Sequence, residues 1–296
     1  MSTTFDRGKN NRIYEIQILP PGGELIVIKS ASALGDPGFS AQFSVKRDTL
    51  ASANKGNVTI FNLGPKTRWK LYKDRYTFAE YWQLVIKAGY GNRLERIFQG
   101  NIYECFSYQQ GTEWITKIDA FDGLSGITNG FTSQSVDRNT DKKNIISSII
   151  RDMPNVLEGA LGGPTQGDPS SRGKVLLGPS SQVLSEETGG QYFIDNEMVN
   201  VLDDDEVLTD QVIILDSKQL FGTPRRRDTF LDCSILFLPR MQVGVICEVR
   251  SKERIYNGQY KVMGFSHDVT VSSATCGTAT TKISLYTGAG GLRGVV

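Results

Sequence analysis

From Ile13 to Gly123 apolar and polar residues alternate in short runs, the period of strands with one buried face. The alternation is clear over 41–47, where Ala41, Phe43 and Val45 are separated by polar residues, and it recurs at Val58 and Ile60 and at Trp114, Thr116 and Ile118. Residues 25–28 form a short apolar run, and further strand-like segments cover 57–63, 84–90, 97–102 and 116–123, with Thr67–Arg68 standing among them. Gly64-Pro65 and Gly89-Tyr90-Gly91-Asn92 supply turn residues between them. Residues 64–71 read as one helical turn or two, with Pro65 tolerated at the start. The order predicts a sheet that curls into a small barrel.

The character then changes. Ile145, Ile146, Ile149 and Ile150 have amphipathic helical spacing, with Thr140 as the expected N-cap, Asp141 in the first turn and Met153-Pro154 as the stop. Residues 159–190 are rich in Gly, Ser and Pro, and predict a long mobile loop that orders against a neighbouring subunit. Strand patterns resume with a hairpin over 191–199 that turns at Asp195-Asn196, followed by segments 211–215, 232–237, 243–250, 259–269 and 280–286. The glycine-rich residues 287–294 predict a tail that stays flexible until a partner binds it. The resulting division is a first β-barrel-like domain over 1–123, a helix and mobile insertion over 124–190, and a second β-rich domain over 191–296, with interleaving of the boundaries left open.

Charge narrows the function. With 33 Lys plus Arg against 32 Asp plus Glu, the net charge is +1, without the basic excess of a dedicated nucleic-acid binder. Cys105, Cys233, Cys247 and Cys276 are far apart, unlike a zinc site, and too few for a disulfide framework, so buried free thiols made in a reducing cytoplasm are expected. No apolar run approaches the ~18 residues of a membrane span, and the N-terminus has no signal-peptide core.

Candidate chemistry is sparse. The single histidine, His267, stands between Ser266 and Asp268. Strand neighbours point to opposite faces, so this trio cannot converge as a catalytic triad, and a structural role follows. Asp203-Asp204-Asp205-Glu206 lacks the spacing and turn glycine of a calcium loop and reads as a solvated loop. Arg225-Arg226-Arg227-Asp228 reads as a solvated or inter-subunit basic loop. Gly288–Gly291 has no strand before it or helix after it, so it is no phosphate loop. Trp69, Trp82 and Trp114 read as core or interface anchors. No catalytic, cofactor-binding or metal-binding residue is assigned, and no cofactor is expected.

Several ordered motifs carry a resemblance. Tyr192 to Asn196, Val199-Asn200-Val201 and Val212 to Asp216 are followed by Leu220-Phe221-Gly222-Thr223-Pro224. Then come Leu238-Pro239-Arg240-Met241-Gln242-Val243-Gly244, Asn257-Gly258-Gln259-Tyr260-Lys261-Val262 and Ser266-His267. This series resembles the baseplate hub (late-control-D-like) family of contractile-tailed bacteriophages, over about 13–286 without 159–190. The resemblance implies a mainly β fold with minor α and two tail-tube-like barrel domains. It implies a non-enzymatic virion protein, made in the host bacterial cytoplasm, that forms a homotrimeric ring of pseudo-sixfold symmetry. Such a ring joins the hexameric tail tube or its initiator to the trimeric central spike. It contacts other baseplate subunits and passes the tape-measure protein and, transiently and without specificity, the genome. In that setting Asp203–Glu206 could line the channel and repel DNA. Some relatives continue into a spike or lysozyme-like domain, so spike and hydrolase are expected as separate products. A tube initiator or terminator ring and a tail-associated peptidoglycan hydrolase are the alternatives.

Overall fold

The computed structural model describes residues 11–30, 38–50, 53–76, 80–272, 277–287 and 292–295. The N-terminal part holds β1 (Arg12–Leu19), β2 (Ile26–Lys29), β3 (Ala41–Asp48), β4 (Lys55–Phe61), α1 (Pro65–Leu71), β5 (Trp82–Tyr90), β6 (Arg93–Gln110) and β7 (Glu113–Phe121). The middle holds α2 (Leu124–Asn129), β8 (Phe131–Val136), α3 (Lys142–Arg151), β9 (Leu157–Leu161), β10 (Lys174–Pro179), α4 (Ser180–Thr188), β11 (Tyr192–Asp195) and β12 (Met198–Val201). The C-terminal part holds β13 (Glu206–Asp216), β14 (Arg225–Arg227), β15 (Phe230–Leu236), β16 (Val245–Arg250), β17 (Gly258–Val271), β18 (Ala279–Tyr286) and β19 (Arg293–Val295). The fold is mainly β, with four α-helices among the described residues.

One 14-stranded sheet runs β14-β15-β18-β17-β3-β4-β7-β6-β5-β1-β2, with β16, β13 and β19 branching from β17. The branch point lies in the length of β17. One edge pairs with β18; the other pairs with β16 over 258–261 and with β3 over 264–271. The register with β18 shifts between Val262 and Gly264, the kind of bulge that bends a strand. Gly264 permits that bend, because a Cβ there would lie 3.0 Å from Asp48 Cβ and 3.1 Å from the Arg47 carbonyl oxygen.

The strict alternation of β3, buried at Ala41, Phe43, Val45 and Arg47, places one face on a core and the other in solvent. That core gathers residues of β1 to β7 and is completed from the far end of the chain by Phe237, Val269, Val271 and Ala279. β2 and β3 lie six strands apart in the sheet yet share this core, so the sheet coils around it. The expected barrel does not close by hydrogen bonding among the described residues: the strand path has ends at β14 and β2, and the side branch ends at β19. A second core packs β13, β15, β16, β17 and β18, together with Phe193.

The middle departs most from expectation. Residues 159–190 contain the end of β9, a 3-10 turn at Gly163–Thr165, β10 and α4 rather than a long loop. Leu176, Val183 and Leu184 pack with the four isoleucines of α3, with Tyr192 and Ile194 of β11, and with Val199 and Val201 of β12. A buried Ile or Leu contributes roughly 1.5–3 kcal/mol, so this cluster favours an ordered segment over a solvated loop. The glycines that suggested flexibility serve close approach. A Cβ on Gly159 would collide with Asn200, and one on Gly162 with Glu206.

Smaller differences also have local causes. Asp141, not Thr140, is the N-cap of α3, and Thr140 Oγ1 instead donates to the Asp137 carbonyl at 2.8 Å. The hairpin turns on Asn196 and Glu197, both at positive φ (52° and 63°), one residue beyond the expected pair. Residues 67 and 68 lie in α1, which begins at Pro65. In the tail, residues 288–291 lie outside the described residues, while Arg293–Val295 pairs in parallel with Glu206–Leu208.

Candidate assembly surface and its polar junction

The solvent face of the large sheet is mainly polar across seven strands, with Leu236 and Phe106 at the ends of two rows. Pairing registers align Ser234, Lys282, Ser266, Lys46 and Lys55 in one row. The next row is Leu236, Thr280, Asp268, Ser44, Asn57, Asp119 and Glu104, and the third is Thr270, Gln42, Thr59, Lys117 and Phe106. Cations, carboxylates and cations thus follow one another down the strands, none of these residues buried. Ser44 Oγ donates to Asp268 Oδ1 at 2.8 Å, and Lys282 lies 4.0 Å from the other oxygen. A groove of about 590 Å³ opens on this face, lined by Lys46, Asp48, Leu50, Arg227, Phe230 and Met263 among others. Because β17 pairs directly with β3, the face crosses from the C-terminal to the N-terminal part without a break.

Behind the sheet, the tip of the β11–β12 hairpin plugs into a buried polar junction. Arg47, 1 % exposed, donates its Nε to Asp195 Oδ1 at 2.6 Å, a second guanidinium nitrogen to Asp195 Oδ2, and a third to the Ile97 carbonyl at 3.2 Å. This is the fork geometry that suits arginine to carboxylates. Asn54 Nδ2 donates to the Ile194 carbonyl at 2.7 Å, while its Oδ1 accepts from the Asp48 amide at 2.8 Å. Asp122 accepts the turn amides of Asn196 at 2.5 Å and Glu197 at 2.7 Å. Burial, and then the nearby Asp195 carboxylate, push Asp122 up to about 7. Gln99 Nε2 donates to Glu197 Oε2 at 2.6 Å, and burial raises the Glu197 pKa. The middle module is therefore fixed to the sheet by an ion pair and directional hydrogen bonds.

The residues singled out in the sequence do not converge. His267 is fully buried, its Nδ1 2.8 Å from Thr281 Oγ1 and its ring against Phe237 and Phe265. Burial, with help from Arg47, holds it down at about 3. Ser266 and Asp268 point to the opposite, solvent face, as strand geometry requires. The acidic run is not simply solvated. Glu206 is buried and accepts from the Gly163 and Asp203 amides at 2.8 Å, and buried Lys261 donates to the Asp203 and Asp204 carbonyls at 2.7 and 3.1 Å. Burial lowers the Lys261 pKa, opposed by the surrounding carboxylates. Arg225–Arg227 forms the exposed terminal strand of the sheet. Trp82 is core, Trp69 is 77 % exposed, and Trp114 lies beneath the Arg68 guanidinium at 3.7 Å. Cys105, Cys233 and Cys247 are buried free thiols; Cys276 lies outside the described residues. Sequence reasoning missed Arg47, Asn54, Asp122 and Glu197. Only Arg47 carried a signal, a charge at the apolar phase of a strand.

Among the described residues no group of three or more His, Cys, Asp or Glu is placed to hold a metal, and no helix is long and apolar enough to cross a membrane. Known proteins share this arrangement of an open coiled sheet and a docked α/β module. The family model described as Baseplate hub gp41 matches residues 26–275, so the chain belongs to that family, a structural component of the virion tail. No curated protein matches the chain in sequence. A tail protein from Neisseria meningitidis MC58 superposes with a TM-score of 0.58 at 11% identity, over 92% of this chain and 96% of that one. The 43 kDa tail protein of prophage MuSo2 from Shewanella oneidensis gives 0.59 at 7% identity, over 92% and 97%. The E. coli c3393 protein gives 0.53 at 8% identity, over 83% and 73%. It is described as a type VI secretion component similar to the T4 bacteriophage tail proteins gp27 and gp5. At these identities the likeness is one of fold.

Proposed function

We propose that three copies of this chain form the central baseplate hub, a ring of pseudo-sixfold outline that joins a hexameric tail tube to a trimeric spike. The observation that carries this reading is the unbroken sheet through β17 and β3. Two separate cores form along the sheet, the first of which takes Val269, Val271 and Ala279 from across that joint, so one chain offers two sheet arcs with a common polar face. Three such chains supply six arcs, the number a sixfold tube requires, and heterologous contacts that close give a ring. The rows of alternating charge line the channel, where mixed lysine and carboxylate side chains let the tape-measure protein and then DNA pass without a lasting grip. Joining copies also covers the sheet ends, which would otherwise template aggregation. The division into two barrel-like domains around a middle module belongs to the same proposal, as do contacts with the tube or its initiator, the spike and other baseplate subunits. The role is structural, with no catalytic step. Native mass spectrometry of the purified protein, alone and with a candidate spike, tests it. A species of three times 32.7 kDa supports the hub, and a species of six copies supports a tube-initiator ring instead.

A further inference from the structure

The most exposed large apolar residue among those described is Trp69 at 77 %, and it is not isolated. Tyr72 follows at 62 % and Tyr76 at 66 %, on the end of α1 and the turn beyond it. The same stretch, residues 64–76, carries Lys66, Arg68, Lys70, Lys73 and Arg75 against Asp74 alone, a net charge of +4 in a chain whose total is +1. The remainder of the chain is therefore net acidic; Glu80 acts on Lys73 and Glu104 on Arg75, and the positive excess sits at the exposed Lys66 and Lys70 of α1 and at Arg75.

The patch is also held in shape. Leu71 is fully buried, anchoring α1, and the buried Lys73 pairs its backbone with Cys105 of β6 at 2.9 Å in both directions. Arg68 is stacked 3.7 Å from the Trp114 ring centroid and donates to the Leu63 carbonyl at 2.9 Å. Arg75 donates to the Tyr76 hydroxyl at 2.8 Å, and Asp74 Oδ1 accepts the Tyr76 amide at 3.0 Å. Trp, Tyr and Arg are the residue types that dominate interface hot spots, and side chains ordered beforehand lose less entropy on binding.

We infer that this α1 patch is the docking site for an acidic surface on a different protein of the tail, with Trp69, Tyr72 and Tyr76 as anchors and Lys66, Lys70 and Arg75 as the charged rim. The inference rests on the hub reading and specifies one partner contact of it. Charge complementarity selects an anionic occupant. Single-stranded nucleic acid is bound in grooves that track its backbone, whereas these rings stand on a short helix and turn with 62–77 % of their surface open. Duplex DNA is gripped mainly at its phosphates, contacts that leave the exposed Trp69 ring without a role. A helix bearing aromatic anchors fits a partner groove.

The test is complementation of a phage lacking this gene, with particles counted by plaque titre and electron microscopy. The variants are Trp69→Ala/Tyr72→Ala/Tyr76→Ala and, separately, Lys66→Glu/Lys70→Glu/Arg75→Glu. Every substituted side chain is exposed, so both variants melt with the wild type and keep its oligomeric state. Each lowers particle yield about tenfold or more, as loss of several anchors together requires. Trp69→Phe retains most of the yield. Wild-type yield from both variants overturns the inference. Loss of self-association in the variants also overturns it, because the occupant is then a second copy. So does binding of a fluorescent DNA duplex by the wild type, but not the variants, at about 150 mM salt. Normal tails from the gene-deleted phage would instead refute the hub reading itself.

Discussion

Removing the Arg47 guanidinium tests the polar junction most sharply. Arg47→Met keeps the length and apolar stem of a side chain that is 1 % exposed, but deletes the fork to Asp195, the bond to the Ile97 carbonyl and the cation over the Phe265 ring. Asp195, whose side chain is 13% exposed, is then left beside the fully buried Asp122 with no cation between them. Breaking one side of a buried ion pair costs about 3–5 kcal/mol, because the partner's desolvation is no longer compensated. In a chain of this size each kcal/mol lowers Tm by roughly 2–4 °C, so the expected fall is roughly 6–20 °C. The cost has a signature. Protonating Asp122, whose charged form Arg47 favours, relieves part of it, so the gap between variant and wild type narrows as pH falls from about 8 to about 5. Urea unfolding at both pH values measures the gap, and hydrogen exchange at the Asn196 and Glu197 amides locates it. A loss under about 1 kcal/mol, or the same loss at both pH values, would refute the reasoning.

Asp122 and His267 drive stability in opposite directions with pH. The folded pKa of Asp122 is raised from 3.8 to about 7, so its contribution is full below 3.8 and is lost as pH rises through 7; Asp122→Asn flattens that fall, each unit of pH being worth about 1.4 kcal/mol. The folded pKa of His267 is lowered from 6.5 to about 3, so its contribution is full above 6.5 and is lost as pH falls toward 3; His267→Gln removes that acid-side loss in a Tm-versus-pH series. Gly264→Val forces a branched side chain against Asp48 and the Arg47 carbonyl, and is expected to cost about 1–3 kcal/mol in urea unfolding. Ile149→Ala, in the module whose core includes Val183 and Leu184, is expected to cost about 2–5 kcal/mol and to raise amide exchange across α4; unchanged exchange there would contradict the packing described for residues 180–188.

What was legible in the sequence follows from how local its cause is. β3 alternates because one face is buried and the other wet, so Phe43 and Val45 mark the strand without knowledge of its partners. The isoleucines of α3 announce their helix in the same way. The order of segment 159–190 is not legible locally, because its glycines read as flexibility, whereas Gly159 and Gly162 are small to admit Asn200 and Glu206. That choice depends on residues 41 and 44 positions away. Glu206 looked solvated within a run of four acids, yet it caps the Gly163 amide from inside. The Arg47–Asp195 pair spans 148 residues, and the branching of β17 between β16 and β3 is a property of three strands together. Neither leaves a pattern in any short window. The family resemblance rests on an ordered series of strand and turn motifs, each set by local backbone chemistry, and the family model over residues 26–275 agrees with it.

The central claim is that one chain provides two arcs of a sixfold ring, so that three chains complete it. Electron microscopy of the purified protein with its spike partner, classified on end views, measures this directly. The account predicts hollow rings of three copies with a six-lobed outline and the Lys46, Asp268 and Lys117 face turned to the lumen. Rings of six copies, or monomers that persist with the spike present, would contradict it.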